Sequence, residues 1–265
     1  MSVNKRLVKQ SYTHGHRIRR YNMSVNKRLV IKSIILSIAC ISIFTIVLDL
    51  SRLSGTNHLS KTFNNDFIKR INVILAALLV WLSGKDSLDK HDVTRMKIVF
   101  MAIGCAEVLF LLAKPAQAIG FFVVCQCILV SRHCTGLNNK LKRADSSQKR
   151  KLALISLTLI TLLFSGVTIL YPLTDSNTPI LMGVLYGLIL SISLWAGIAN
   201  FILSLFPEKN SKIIAIAMVF FYLGDILVGL DGLLSSGPLW LIATSLIWVF
   251  YTPAITLLAI SSYKL

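Results

Sequence analysis

Three acidic residues stand inside long apolar stretches, Glu107, Asp225 and Asp231. The other carboxylates, Asp49, Asp66, Asp86, Asp89, Asp92, Asp145, Asp175 and Glu208, fall in loops or at the ends of apolar runs. An ionisable group inside a membrane span costs about 2.5–3.5 kcal/mol even on insertion scales, so such residues are functional candidates. Read against the apolar runs, Glu107 and Asp225 have no Lys or Arg within a span to pair with. Two buried carboxyls without a base do not both ionise, and a neutral acid beside a carboxylate follows. That arrangement suits general acid catalysis, a proton relay or transport step, or a hydrogen-bonded contact between helices.

Other chemistries find little support. The histidines are His14, His16, His58, His91 and His133, and none lies well inside a span or at metal-ligand spacing. The cysteines are Cys40, Cys105, Cys125, Cys127 and Cys134. Cys125 and Cys127 are two residues apart, about 200° around a helix, and cannot chelate one ion together. They read as small apolar fillers. No metal site, glycine-rich phosphate loop or Gly-x-Ser-x-Gly elbow is evident, and no cofactor is expected. Gln126, Asn200, Tyr222 and Tyr251 are further polar groups in apolar stretches, fit for helix-helix hydrogen bonds or for substrate contact. Gly104 and Gly229 lie one turn from Glu107 and Asp225, and Gly183-x-x-x-Gly187 is a helix-packing motif.

The elements that must position these residues follow from composition. The chain has 265 residues, 55% hydrophobic and 15% charged, with a net charge of +17 and a mean hydropathy of +0.71. Soluble domains carry about 25% charged residues, so a soluble enzyme or a nucleic-acid binder is excluded and a helical membrane protein is implied. A spanning helix needs roughly 20 apolar residues. Eight candidate runs occur: Ile31–Leu50, Ile71–Gly84 (which could extend back over Phe67 and Ile68), Ile98–Ala113, Ala116–Ser131, Leu152–Leu173, Pro179–Phe206, Ile213–Leu234 and Pro238–Tyr263. Lys114-Pro115 separates the third from the fourth, because proline breaks a helix interior. The expected fold is an all-α polytopic bundle of about eight transmembrane helices, residues 31–265 forming one domain.

Basic residues set its orientation. With Lys32, at the very start of the first run, counted with the tail, alternate segments from the N-terminus hold 23 Lys/Arg, and the other set holds 5. Positive residues concentrate on the cytoplasmic side, so both termini are predicted to be cytoplasmic, the membrane being the inner or plasma membrane if the cell is bacterial. With that orientation the third and seventh runs point the same way. Glu107 lies about 14 Å and Asp225 about 18 Å from the start of its run at 1.5 Å per residue, at similar depth. Asp231 is about 9 Å further out on another face.

Residues 1–30 form a basic tail in which MSVNKRLV occurs at 1–8 and again at 23–30. The duplication reads as a local repeat or an upstream start before Met23. Arg17, Arg19 and Arg20 offer attraction to anionic inner-leaflet lipid, though a disordered tail is expected.

The order of motifs resembles the YhhN-like, lysoplasmalogenase family of eight-span membrane proteins, over about Phe67 to Tyr263. The matching stretches are Ile68-Lys69-Arg70-Ile71 before the second run, Gly104-Cys105-Ala106-Glu107-Val108-Leu109, Gly120 through Gln126, Tyr222-Leu223-Gly224-Asp225-Ile226-Leu227, and Tyr251 through Thr256 with Ser261-Ser262-Tyr263. The chain departs from the pattern at four points: Glu107 replaces Asp, Arg70 replaces Pro, Gln126 stands for His, and Thr256 for Gln or His.

The resemblance implies hydrolysis of the vinyl-ether bond of a lysoplasmalogen, releasing a fatty aldehyde. It assigns Glu107 as the acid and Asp225 as the carboxylate, with the exchange of roles left open. Lys69 is implied as a contact to lipid phosphate or as an interfacial anchor, with Gln126, Tyr222 and Tyr251 near the substrate. A proton-linked carrier using the same acids, and an inactive relative, remain the alternatives.

Overall fold

A computed structural model describes residues 3–53, 65–170, 177–234 and 237–264, with side chains from Asn26 onward in most of them. The side chains of Arg17, Arg19 and Arg20, the Asp175 loop and the end of the fifth apolar run lie outside the described residues. Among these residues the chain is all-helical. The helices are α1 (Val3–Leu53), α2 (Asn65–Ser83), α3 (Lys90–Leu111), α4 (Pro115–His133), α5 (Leu137–Arg143), α6 (Ser146–Leu170), α7 (Asn177–Leu203), α8 (Glu208–Leu233) and α9 (Pro238–Ile260). Six segments are long and apolar enough to cross a membrane: Asn26–Leu53, Pro115–His133, Ser146–Ile169, Gly183–Leu203, Glu208–Gly232 and Leu239–Ile260. The chain is a multi-pass integral membrane protein.

Helices α2 and α3 are the two predicted spans that fall outside this set. They are 19 and 22 residues long but carry more charge: Asp66, Lys69 and Arg70 on α2, and Lys90, Asp92, Arg95, Lys97 and Glu107 on α3. Both are built into the same bundle. Successive neighbours α1, α2, α3 and α4 pack in sequence, α4 continues onto α7, α7 onto α8 and α8 onto α9. Helix α9 closes the ring against α1 and α2, and α6 lies against α7.

Local sequence explains the boundaries. The turn between α3 and α4 is Leu112-Ala113-Lys114, with Ala113 left-handed at φ 55° and Lys114 N–H donating to the Leu109 carbonyl at 2.9 Å. Pro115 then opens α4 at the first turn, where its missing N–H costs nothing. Pro238 opens α9 in the same way. Helix α1 begins at Val3 and runs through the basic segment into the first apolar run. Extending an existing helix avoids the nucleation cost that an isolated tail would face.

The core is a continuous apolar cluster from α2, α3, α4, α7, α8 and α9, including Leu79, Ile103, Leu129, Met218, Phe221 and Ile255. Gly197 permits the close approach of α8: a Cβ there would meet Met218 Cγ at 2.6 Å. Gly187 meets Leu163 of α6 at 3.0 Å, whereas nothing lies within 4 Å of Gly183, so the Gly183/Gly187 motif packs through one of its two glycines.

A polar clamp holds the chain end. Arg132, fully buried, forks onto Asp92 with Nε–Oδ1 2.6 Å and Nη2–Oδ2 3.0 Å, and donates to Ser261 Oγ at 2.9 Å. Asn210 donates to the Ser261 carbonyl at 2.9 Å and the Tyr263 carbonyl at 2.6 Å. Tyr263 hydroxyl donates to the Leu79 carbonyl, and burial, then the Asp86 charge, pushes this phenol up to about 12.

Candidate functional site

Glu107 and Asp225 come together in the bundle, close enough to interact electrostatically. Helix α3 supplies Glu107 and α8 supplies Asp225, four residues and eight residues before the ends of their helices. Their neighbours correct one expectation. Glu107 has a basic partner: Arg70 Nε lies 3.2 Å from Glu107 Oε2. The reason is the start of α2. It begins at Asn65, in line with the extension over Phe67 and Ile68, which carries Lys69 and Arg70 into the helix and the bundle.

Arg70 is held on three sides. Its Nη1 donates to the Asp66 carbonyl at 2.9 Å, one turn back, and its guanidinium carbon sits 5.9 Å from the Trp248 ring centroid. A cation over a tryptophan face gains about 0.5–2 kcal/mol. Asp225 has a different partner, the hydroxyl of Tyr186 on α7, which donates to Asp225 Oδ2. Gln126 on α4 is buried beside Tyr186, its amide against the Tyr186 hydroxyl. Tyr251 on α9 faces Glu107 and Asp225, with its buried hydroxyl against the Glu107 carboxyl.

Aromatic rings wall the site. Tyr251 meets Trp248, Phe221 and Phe122 edge-on at centroid distances of 5.5, 5.7 and 6.3 Å. Phe110, from the same helix as Glu107, lies 6.2 Å from Phe122. Such walls exclude water and present ring faces to a cation.

Of the residues singled out by sequence, Glu107, Asp225, Gln126 and Tyr251 converge. Lys69 does not join them. It is 1% exposed and pairs with Asp49 of α1 at 2.7 Å, so it is neither an interfacial anchor nor free for lipid phosphate. Asn65 donates to the same Asp49 carboxylate at 2.5 Å. Tyr222 packs in the apolar core and makes no hydrogen bond to either carboxyl among the described residues. Asp231 accepts from Thr244 Oγ1 at 2.6 Å, apart from the pair. Thr256 turns its hydroxyl back to the Thr252 carbonyl at 2.8 Å. Gly104 and Gly229 have nothing within 4 Å of a built Cβ, so neither is a helix contact.

Sequence reasoning misses Tyr186 and the partnership of Arg70. A tyrosine in an apolar run gives no spacing signal. Arg70 was legible as a departure from the family pattern, and extending α2 back by one and a half turns would have brought it beside Glu107.

The cluster contains one guanidinium, two carboxyls and two phenols. Buried charge is tolerated when balanced. With Arg70 charged, one ionised carboxylate balances it, and the second carboxyl completes a neutral site by holding a proton. No group of three or more His, Cys, Asp or Glu among the described residues has the grouping for a metal ion. The fold is a polytopic all-helical bundle in which the two carboxyls, two phenols and one guanidinium lie near one another. No protein family, curated protein or solved structure matches this chain.

Proposed function

We propose that the chain is an integral-membrane hydrolase of vinyl-ether lysolipids, of the lysoplasmalogenase type and related to the YhhN-like family. The observation that carries this reading is the contrast between the partners of Glu107 and Asp225: a guanidinium beside the first and a phenol without a cation beside the second, within one aromatic-walled cluster. This contrast favours Asp225 as the proton donor and Glu107 as the carboxylate, the exchange of the roles first implied by the resemblance.

In the proposed reaction Asp225 protonates the enol-ether carbon remote from oxygen. The electron pair on oxygen moves in to give an oxocarbenium ion. Ionised Asp225 and Glu107, with the ring faces of the wall, stabilise that cation. A water adds to the cationic carbon and its proton returns to Asp225. The hemiacetal collapses to a fatty aldehyde and the glycerol hydroxyl of the head group. One water is consumed, and the acid is regenerated, as in paired-carboxylate glycoside hydrolysis. The open space beside Gly104, one turn before Glu107, supports entry of a lipid chain from the bilayer.

In this reading α2 and α3 complete eight spans, both termini are cytoplasmic, and the basic N-terminal segment lies against anionic lipid. The substrate is a membrane lysolipid. Purified protein incubated with lysoplasmalogen tests the proposal: fatty aldehyde is expected. Proton-gradient-dependent uptake into proteoliposomes without aldehyde identifies a carrier instead.

A further inference from the structure

The corner formed by α5 and the start of α6 carries an unbalanced charge. Between Lys140 and Lys151 stand six cations, Lys140, Lys142, Arg143, Lys149, Arg150 and Lys151, against one acid, Asp145. All six side chains are exposed, and none takes part in an ion pair among the described residues. Asp145 is engaged with the backbone. Its Oδ1 accepts from the Gln148 N–H at 2.6 Å, and Gln148 Oε1 accepts from the Asp145 N–H at 3.2 Å, a reciprocal cap on α6. The other described connections at this end of the bundle are closer to balance. Residues 84–97 hold four Lys/Arg against three Asp, of which Asp86 pairs with Lys27 and Asp92 with Arg132. Residues 204–212 hold Lys209 and Lys212 against Glu208.

The corner is a fixed platform. Gly136, left-handed at φ 79°, makes the turn into α5. Leu137, Leu141 and Ala144 then pack against Trp195, Ala199 and Leu203 of α7. Gln148 Nε2 donates to the Ile202 carbonyl at 3.1 Å. Lys140, Lys142 and Arg143 lie in the last turn of α5, where the helix dipole favours a cation. Lys149, Arg150 and Lys151 lie in the first two turns of α6, where the dipole opposes them. Like charges within a Debye length, about 10 Å at 0.1 M salt, also repel one another. A bound anion offsets both terms.

Two features select the anion. Directly after Lys151, α6 becomes an apolar span, with Leu154 53% and Leu157 62% exposed. The cations therefore stand where the lipid-facing surface begins, at the level of the head groups. Residues 134–151 contain no Phe, Tyr or Trp on which a nucleic-acid base could stack. We propose that the α5–α6 corner binds the phosphate head groups of anionic phospholipids in the leaflet it meets. The surface is distinct from the carboxyl pair and holds whichever reaction that pair performs.

The full chain in detergent is titrated with phosphatidylglycerol and, separately, with phosphatidylcholine, and bound lipid is counted by native mass spectrometry. Each cation near an anionic surface strengthens binding about fivefold. The triple variant Lys149→Gln, Arg150→Gln, Lys151→Gln is expected to lose about tenfold or more in affinity for phosphatidylglycerol, with phosphatidylcholine unchanged. Lys149→Arg, Arg150→Lys, Lys151→Arg, which keeps the charge, is expected to bind as the native chain does. Lys209→Gln with Lys212→Gln, at the same end of the bundle, is expected to leave binding unchanged. Native affinity in the glutamine triple variant, or an equal loss in the Lys209/Lys212 variant, overturns the proposal. Inorganic phosphate, added against chloride of equal ionic strength, is expected not to displace the lipid. Displacement by phosphate would identify a site for a soluble anion and overturn the assignment to lipid.

Discussion

Arg70 and Glu107 stand on adjacent helices with Nε 3.2 Å from Oε2, and this pair breaks the symmetry between the two buried carboxyls. Glu107 has its counter-charge supplied by the chain. Asp225 shares no cation and bonds to a phenol. The first prediction follows. Arg70→Gln removes the counter-charge and is expected to lower aldehyde release about 100-fold, within the range for losing a positioned acid-base partner. Arg70→Lys, keeping charge without the fork, is expected to retain more activity than Arg70→Gln in the same assay. Equal activity of Arg70→Gln and the native chain would show that the guanidinium has no part in the reaction.

Lys69 and Asp49 provide a separate test of the fold. Both are buried, at 2.7 Å, and Asn65 adds a third contact. Removing one partner of a buried pair costs about 3–5 kcal/mol, because the other charge is stranded. Asp49→Ala is therefore expected to lower the midpoint of detergent thermal unfolding strongly. The double variant Asp49→Leu with Lys69→Met is expected to recover most of that loss. A double variant as unstable as the single one would contradict a stranded charge as the cause.

Gly197 is predicted to be intolerant of a side chain. A Cβ would lie 2.6 Å from Met218 Cγ and 2.9 Å from its Cβ, and the second atom cannot swing away. Overpacking of this kind costs about 1–3 kcal/mol. Gly197→Ala should lower thermal stability, and Met218→Ala in the same chain should restore part of it. The readout is the unfolding midpoint of the three proteins.

Tyr263 gives a pH dependence with a definite sign. Its phenol is raised to about 12 by burial and by Asp86, above the ordinary value near 10. The folded chain thus holds this proton more tightly than the unfolded chain. The stabilisation is fully present below about pH 10 and is lost as the pH rises towards about 12. Tyr263→Phe is expected to flatten the fall in stability over that window, read from unfolding midpoints between about pH 9 and 12. An unchanged slope would mean that the Tyr263 hydroxyl does not lose its bond to Leu79 there.

Much of this arrangement was legible in the residues. The scarcity of charge and the apolar runs point to a helical membrane bundle, and Lys114-Pro115 marks the break between α3 and α4. Counting residues along two runs of the same direction puts Glu107 and Asp225 at similar depth, and the two interact electrostatically in the bundle. What hydropathy obscures is the ends of helices. Lys69 and Arg70 read as loop charges because a basic residue depresses any apolar window, yet each is neutralised by a carboxylate on the neighbouring helix. Asp49 and Asp92 are read as end charges for the same reason, and both are buried in ion pairs. Tyr186 leaves no trace at all in a hydropathy profile. Its role depends on which helix faces α7, and that is set by packing between segments distant in sequence.

The account rests on a proton passing between lipid and the carboxyl pair, so aldehyde release from lysoplasmalogen by the native chain, Glu107→Gln and Asp225→Asn is its most direct measurement. The native protein is expected to release aldehyde. Each variant, folded as judged by size-exclusion chromatography, is expected to fall at least about 100-fold, the loss typical of a removed general acid or its charged partner. Full activity in Asp225→Asn, or no aldehyde from the native protein, would contradict it.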